Sequence, residues 1–137
     1  MTGIIWFVQL VQYPSFAHID RASFPAFHSH HSTAISFIVA PLMLVEAVTA
    51  LAFLWSPLRV QTSWQIWLGI GLVAVVWAST FLLQVPAHSR LGSGFDQDNW
   101  RMLVSSNWVR TIAWSVRAAL VTYWLYLTLD AGKRMGV

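Results

Sequence analysis

A polar stripe interrupts an otherwise apolar segment near the C-terminus of the chain. Its members follow helical spacing, and they are Asn107, Arg110, Thr111, Trp114 and Arg117. Positions i, i+3, i+4, i+7 and i+10 lie on one face of a helix. The segment 102–129 is long enough to cross a bilayer, which needs about 20 residues, and an arginine at that depth costs about 2.5–3.5 kcal/mol. We therefore expect the stripe to face a polar interior instead of lipid.

The side chains of this stripe are suited to holding a substrate oxygen, because amide, hydroxyl and guanidinium groups donate hydrogen bonds. The predicted substrate-binding set combines the stripe with one glutamine of the preceding segment: Gln84, Asn107, Arg110, Thr111 and Trp114. Arg110 could instead extend its charge to the membrane interface. Trp114 could line an aromatic-ligand pocket or could simply pack within the bundle.

Three histidines, His28, His31 and His88, are predicted to lie near the same end of the membrane-spanning segments. They could bind a metal, since i, i+3 is a usable spacing and another helix could supply the third ligand. Two of them could ligate a haem iron, or one could act as a general base on a substrate that enters from the bilayer. They could also be solvated with no ligand. We assign them a catalytic, proton-handling role and leave the metal and the cofactor unassigned.

Glu46 and Arg117 are predicted to form a structural ion pair within the membrane. Counted at 1.5 Å per residue, Glu46 lies about 22 Å below His31, and Arg117 lies at a similar depth below Met102. A pair would offset the cost of burying either charge. The alternative for Arg117 is an anchor for an anion or a carbonyl in a pocket.

The composition indicates a membrane protein. Of 137 residues, 57% are hydrophobic and only 9% are charged, whereas a soluble domain carries about 25% charged residues. The nine tryptophans agree, because this residue is enriched at membrane interfaces. The absence of cysteine excludes a thiolate metal site, and a net charge of +3 without a basic cluster argues against a nucleic-acid partner.

Four apolar segments predict an all-α, integral membrane, four-helix up-down bundle that forms a single domain over residues 1–137. The predicted helices cover residues 3–13, 32–55, 64–85 and 102–129. Prolines at the ends of the first and third segments predict that both helices stop there. The connections 14–31 and 86–101 are then long loops that hold most of the ionisable groups, and a polar pocket opens toward them.

Two features concern the ends of the chain. The first segment would span only about 16–20 Å, so we expect either a partial span covered by another element or a start upstream of Met1. The N-terminal apolar run has neither the basic region nor the cleavage site of a secretory signal. Lys133 and Arg134 follow the last segment directly and favour cytoplasmic termini.

Several motifs resemble those of a family of small, uncharacterised bacterial four-helix membrane proteins. They run along nearly the whole chain and comprise Gln12-Tyr13-Pro14-x-Phe16, Phe27-His28-x-x-His31, Pro41-x-Met43-x-x-Glu46, Gln84-Val85-Pro86-x-His88-x-x-Leu91, Gly94-Phe95-Asp96 and Asn107-Trp108-x-Arg110-Thr111-x-x-Trp114. That family is distantly similar to the anthrone-oxygenase-like superfamily. The resemblance implies a four-helix membrane fold and the oxidation of an activated aromatic compound by dioxygen without a recognised cofactor.

The leading functional hypothesis is therefore a small membrane oxidoreductase or oxygenase. Its substrate would be a hydrophobic aromatic or quinone-like small molecule held in a polar intramembrane pocket. The alternative is a non-catalytic accessory subunit that packs its tryptophan-rich surface against a larger redox or pigment complex in the lipid bilayer.

Overall fold

The computed structural model describes residues 1–58 and 60–134, and in these ranges it contains helices and no strand. We number four helical segments: α1 over 2–18, α2 over Phe24–Ala52, α3 over Ser63–Leu91 and α4 over Gln97–Arg134. The predicted domain 1–137 also includes Arg59 and 135–137, which lie outside the described residues.

The helices extend beyond the predicted limits at every end except that of α2, which ends at Ala52 and not at residue 55. Their extension corrects the two long loops. The connection after α1 is the short turn 19–23, and the connection after α3 is 92–96. The stretch before residue 32 looks like a loop because it is rich in histidine and serine. It is nevertheless an amphipathic turn of helix, in which His28 and His31 are buried and Ser29 and His30 are exposed.

Two π-helical turns accompany the prolines that do not end α1 and α3. Val8–Gln12 comes just before Pro14, and Thr80–Gln84 comes just before Pro86. A proline ring clashes with the carbonyl four residues earlier and lacks an N–H, and a widened turn relieves this conflict locally. Both π turns end at a glutamine two residues before the proline, and the helix continues beyond it.

Aspartates define the starts of α2 and α4. The Asp20 carboxylate accepts hydrogen bonds from the backbone N–H of Ala22 at 3.0 Å and of Ser23 at 3.2 Å. Asp96 precedes α4 and accepts from the N–H of Asn99 at 2.8 Å, which is the geometry of an N-cap. These turns lie at the same end of the molecule as the histidines.

Contacts along α4 show that α1 and α3 run antiparallel to it. From α1, the Trp6 indole donates to Ser115 Oγ and Gln9 donates to the carbonyl oxygen of Val104. α3 pairs with α4 over a greater length, through Gln84 with Ser106, Gly69 with Arg117, and Gln65 with Trp124. Because Trp6 already reaches Ser115, α1 covers only the first half of α4.

Three helices, α2, α3 and α4, are long and apolar enough to cross a membrane. Large apolar side chains lie on their outer surfaces, and Phe37 on α2 is 79% exposed. Such surfaces are consistent with lipid contact, because water-soluble monomers rarely expose extended apolar patches.

Gly69 permits a close contact between α3 and α4. A Cβ at this position would lie 3.4 Å from Arg117 Nη1 and 3.5 Å from the Trp124 ring, whereas a Cβ at Gly71 would meet nothing within 4 Å. We predict that Gly69→Leu destabilises the folded protein by about 1–3 kcal/mol through overpacking. Thermal unfolding in detergent, with Gly71→Leu as the matched control, measures this effect. Equal melting temperatures for the two variants would contradict it.

Candidate functional site

The polar stripe of α4 faces the interior of the helical assembly. Its five members are buried, with exposed fractions between 0% and 7%: Asn107, Arg110, Thr111, Trp114 and Arg117. The helical spacing thus correctly places them on one inward face. They do not all serve one site, however, because their hydrogen-bond partners divide them into three groups.

Arg110 lies at the polar end of a cavity of about 160 Å³. Most of the lining is apolar and comes from Met1 and from α1, α2 and α3: Met1, Ile4, Ile5, Val8, Ile35, Val39, Ala40, Met43 and Val85. Its polar lining consists of Tyr13, Ser36, Thr80, Gln84, His88 and Arg110. A cavity of this size accepts one six-membered ring, since an apolar cavity of about 150 Å³ binds benzene.

No acid among the described residues neutralises the guanidinium of Arg110. Within 1–58 and 60–134, the ion pairs are Arg101 with Asp98 and Arg134 with Asp130, both on the surface. Arg110 is only 6% exposed, its Nε has no hydrogen-bond partner, and its Cζ lies 5.1 Å from the centre of the Trp114 ring. That distance suits a cation–π contact, but it leaves Nε of the guanidinium without an acceptor.

A continuous line of polar atoms runs from this cavity through three helices. The Tyr13 hydroxyl lies 3.0 Å from His88 Nε2 and 3.3 Å from Gln84 Oε1. The other ring nitrogen of His88, Nδ1, lies 3.0 Å from His28 Nε2. The two π turns precede Tyr13 and His88 along the chain, and local widening of helices of this kind is frequent at functional sites.

His31 joins the cluster in a different manner. Its ring is stacked 6.1 Å from that of His88, and its Nδ1 lies 3.3 Å from the Gln12 amide nitrogen. Its Nε2 is buried and has no hydrogen-bond partner. Within the described ranges, the His, Asp and Glu side chains form no group of three or more that could hold a metal ion.

Asn107 and Thr111 support the site from behind and do not line the cavity. Asn107 Nδ2 donates to Gln9 Oε1 at 2.9 Å, and the Thr111 hydroxyl donates to the same oxygen at 3.3 Å. The Gln9 amide nitrogen donates in turn to the carbonyl oxygen of Val104 at 3.1 Å. These bonds fix α1 against α4, which holds Tyr13 beside Arg110.

Glu46 and Arg117 are neighbours, but no direct ion pair between their side chains occurs among the described residues. The Glu46 carboxylate accepts a hydrogen bond of 2.6 Å from Trp114 Nε1. Arg117 donates to the carbonyl oxygen of Gly69 at 3.1 Å and to that of Glu46 at 3.4 Å. The matching depth of the two residues is correct, while the predicted carboxylate–guanidinium contact is replaced by these bonds. The sequence alone does not predict that the carbonyl oxygen of Gly69 lies within hydrogen-bond distance of Arg117.

Trp114 lines a second cavity, which has a volume of about 320 Å³. Glu46 and Arg117 line it, together with Thr2, Thr49 and residues of the last half of α4. Trp114 thus contacts both Arg110, which lines the first cavity, and Glu46, which lines the second.

The structure brings together most of the predicted site residues and adds two. His88, Gln84 and Arg110 line the first cavity. His28 and His31 lie beyond it, near the start of α2 and the end of α3. Tyr13 and Gln9 are the additions. Their four-residue spacing on α1 is the available signal, because it places both on one helical face.

No protein-family model, curated protein or solved structure matches the chain. The similarity to anthrone oxygenases stays a prediction from its motifs.

Proposed function

We propose that this chain is an integral membrane four-helix up-down bundle that binds a hydrophobic phenol- or quinone-like compound in the cavity next to Arg110. The single observation that supports this most strongly is a buried guanidinium without an acidic partner at the end of an apolar cavity. Ionisable groups inside a membrane protein are usually paired or functional, and unmatched donors are satisfied by water or by a bound acceptor. A phenolate or quinone oxygen supplies that acceptor.

The shape of the cavity favours a ring attached to an apolar body. Its volume of about 160 Å³ suits one ring, and Ser36, Ala40 and Val85 on its lining are exposed at the outer surface. An apolar substituent of the ligand would leave between α2 and α3 into the lipid. The oxygen of the ring would face Arg110, Gln84 and Tyr13, which are its polar contacts in this arrangement.

The same groups support an oxidoreductase or oxygenase reaction. Oxidation of a phenol or hydroquinone requires loss of the proton on its oxygen, and it is favoured where the resulting anion is stabilised. Arg110 provides the positive charge, and the hydroxyl of Tyr13, bonded to His88, provides the acceptor of the proton. We place the end of α4, with Lys133 and Arg134, on the cytoplasmic side of a bacterial inner membrane.

A chromogenic phenol tests this proposal. We expect 4-nitrophenol to bind the purified protein in detergent and to show its phenolate absorbance at lower pH than in empty micelles, because the guanidinium lowers the pKa of the bound phenol. Ala40→Phe, which adds a ring at the cavity wall, should prevent binding. Ala34→Phe, at an exposed position of the same helix outside the cavity, should leave binding unchanged.

Two outcomes would contradict the proposal. One is a titration of 4-nitrophenol that is the same with protein and with empty micelles. The other is equal binding by the Ala40 and Ala34 variants. Purification of the chain in a stable complex with other chains, without any binding of the phenol, would favour the accessory subunit.

A further inference from the structure

We propose that Tyr13, His88 and His28 form a proton relay that connects the cavity with the aqueous end of α2. The relay deepens the proposed function, since the phenol in the cavity is the group whose proton it carries. Its connectivity, however, is a property of the protein alone and can be tested without a ligand.

The central member of the relay is His88, because both of its ring nitrogens have partners. Nε2 lies 3.0 Å from the Tyr13 hydroxyl, and Nδ1 lies 3.0 Å from His28 Nε2. A neutral imidazole donates at one nitrogen and accepts at the other, so it can pass a proton across the ring without becoming charged. Both distances are within the range of ordinary hydrogen bonds.

Two arrangements of protons satisfy the same heavy atoms. In the first, Tyr13 donates to His88 Nε2, and His88 Nδ1–H donates to His28 Nε2. In the second, His28 Nε2–H donates to His88 Nδ1, His88 Nε2–H donates to the Tyr13 oxygen, and Tyr13 donates to Gln84 Oε1 at 3.3 Å. Gln84 therefore gives the tyrosine hydroxyl an acceptor in the second arrangement, which makes both arrangements complete.

One outward transfer converts the first arrangement into the second. The ligand O–H bond breaks, and its proton goes to the Tyr13 oxygen while the original Tyr13 proton goes to His88 Nε2. The Nδ1 proton of His88 moves to His28 Nε2, and His28 releases its Nδ1 proton to water. The phenol becomes a phenolate, Tyr13, His88 and His28 all remain neutral, and an inward transfer restores the first arrangement.

His28 is the outlet by its place in the chain, since it lies one helical turn after α2 begins at Phe24 and five residues after the turn 19–23. Its ring is 3% exposed and is packed against Phe24, so the proton leaves at the edge of this aromatic packing. His31 is the competing route, but its Nδ1 contacts the amide nitrogen of Gln12, and its Nε2 is buried without a partner. An amide nitrogen does not readily exchange protons in this manner, so a path through His31 ends there.

Hydrogen exchange at the His88 ring tests the relay in the ligand-free protein. With histidine labelled by nitrogen-15, NMR measures how fast the ring N–H of His88 exchanges with water. We expect His28→Phe to slow this exchange by about tenfold or more, since a positioned proton-transfer group contributes at least that much. His30→Phe, at an exposed position two residues away, should exchange at the wild-type rate.

A pH jump with bound 4-nitrophenol tests the same relay during ligand deprotonation. His28→Phe should bind the phenol with wild-type affinity but form phenolate about tenfold more slowly, or slower still. If His28→Phe fails to fold, His28→Gln replaces it in both measurements, since an amide keeps the hydrogen bond but cannot relay. Wild-type exchange at His88 in the folded His28 variant would overturn the relay. Absence of phenol binding, with slowed exchange, would overturn the proposed function and leave the relay supported.

Discussion

Arg110→Met is expected to reduce the affinity for 4-nitrophenolate about 10- to 100-fold, because a hydrogen bond to a charged group contributes about 1.5–3 kcal/mol and each 1.4 kcal/mol is about tenfold. The variant should fold and unfold at a temperature no lower than the wild type. The unfolding temperature should not fall, because removal of a buried charge without an acidic partner eliminates a desolvation cost and breaks no ion pair. Absorbance titrations in detergent measure the affinity, and circular dichroism measures the thermal unfolding.

Arg101→Met is the matched control for this prediction. Arg101 lies on the same helix, but its side chain is exposed and forms a surface ion pair with Asp98 at 3.9 Å. Its replacement should change neither the affinity nor the unfolding temperature. An Arg110→Met protein that binds the phenolate as the wild type does would show that Arg110 does not hold the ligand. An Arg110→Met protein that no longer folds would show that Arg110 has a structural role.

Trp114→Ala is expected to destabilise the protein by about 3–5 kcal/mol, the usual cost of removing a large buried aromatic side chain. Trp114 is 1% exposed, contacts Arg110 through its ring and donates to the Glu46 carboxylate at 2.6 Å. Its loss would enlarge the second cavity, which it lines, and leave Glu46 without that donor. Thermal or denaturant unfolding in detergent gives the change in the free energy of unfolding.

Two further variants separate the causes of this effect. Trp114→Phe keeps much of the packing and removes the donor, so its cost should be close to that of one hydrogen bond to a charged group, about 1.5–3 kcal/mol. Trp108→Ala, at a position 40% exposed on the same helix, should cost much less. Equal destabilisation by Trp108→Ala and Trp114→Ala would show that burial at position 114 is unimportant.

Helical spacing was sufficient to predict the inward face of α4. Asn107, Arg110, Thr111, Trp114 and Arg117 share one face in any α-helix, and their polarity excludes lipid as their surroundings. The grouping of His28, His31 and His88 followed from connectivity, since α2 begins at the same end of the molecule at which α3 ends. These predictions depend only on local geometry and on the cost of burying charge.

The ends of the helices depended on a local widening that residue types do not reveal. Pro14 and Pro86 predict breaks, whereas the helices continue past both prolines, each of which follows a π turn. Tyr13 and Gln84 owe their positions in the site to this difference. A Gln-x-Pro pattern occurs at both places, but a single sequence offers no means to associate it with a π turn.

The sequence also does not determine which of several possible hydrogen-bond partners a buried polar side chain contacts. The matching depth of Glu46 and Arg117 predicted an ion pair between them. In the structure the carboxylate instead accepts from Trp114, and the guanidinium donates to backbone carbonyls. Asn107 and Thr111 contact Gln9 for the same reason. Such choices depend on side-chain rotation and on the separation of helices, which differ by ångströms between arrangements with the same helical faces.

The most direct test of the proposed function is native mass spectrometry of the protein purified from its membrane. The proposal predicts that the wild type and Arg101→Met carry one molecule of a hydrophobic, oxygen-bearing aromatic compound per chain, that excess 4-nitrophenol displaces it, and that Arg110→Met carries none. Retention of the same compound by Arg110→Met, or a wild-type protein that carries no such compound and binds no 4-nitrophenol, would contradict it.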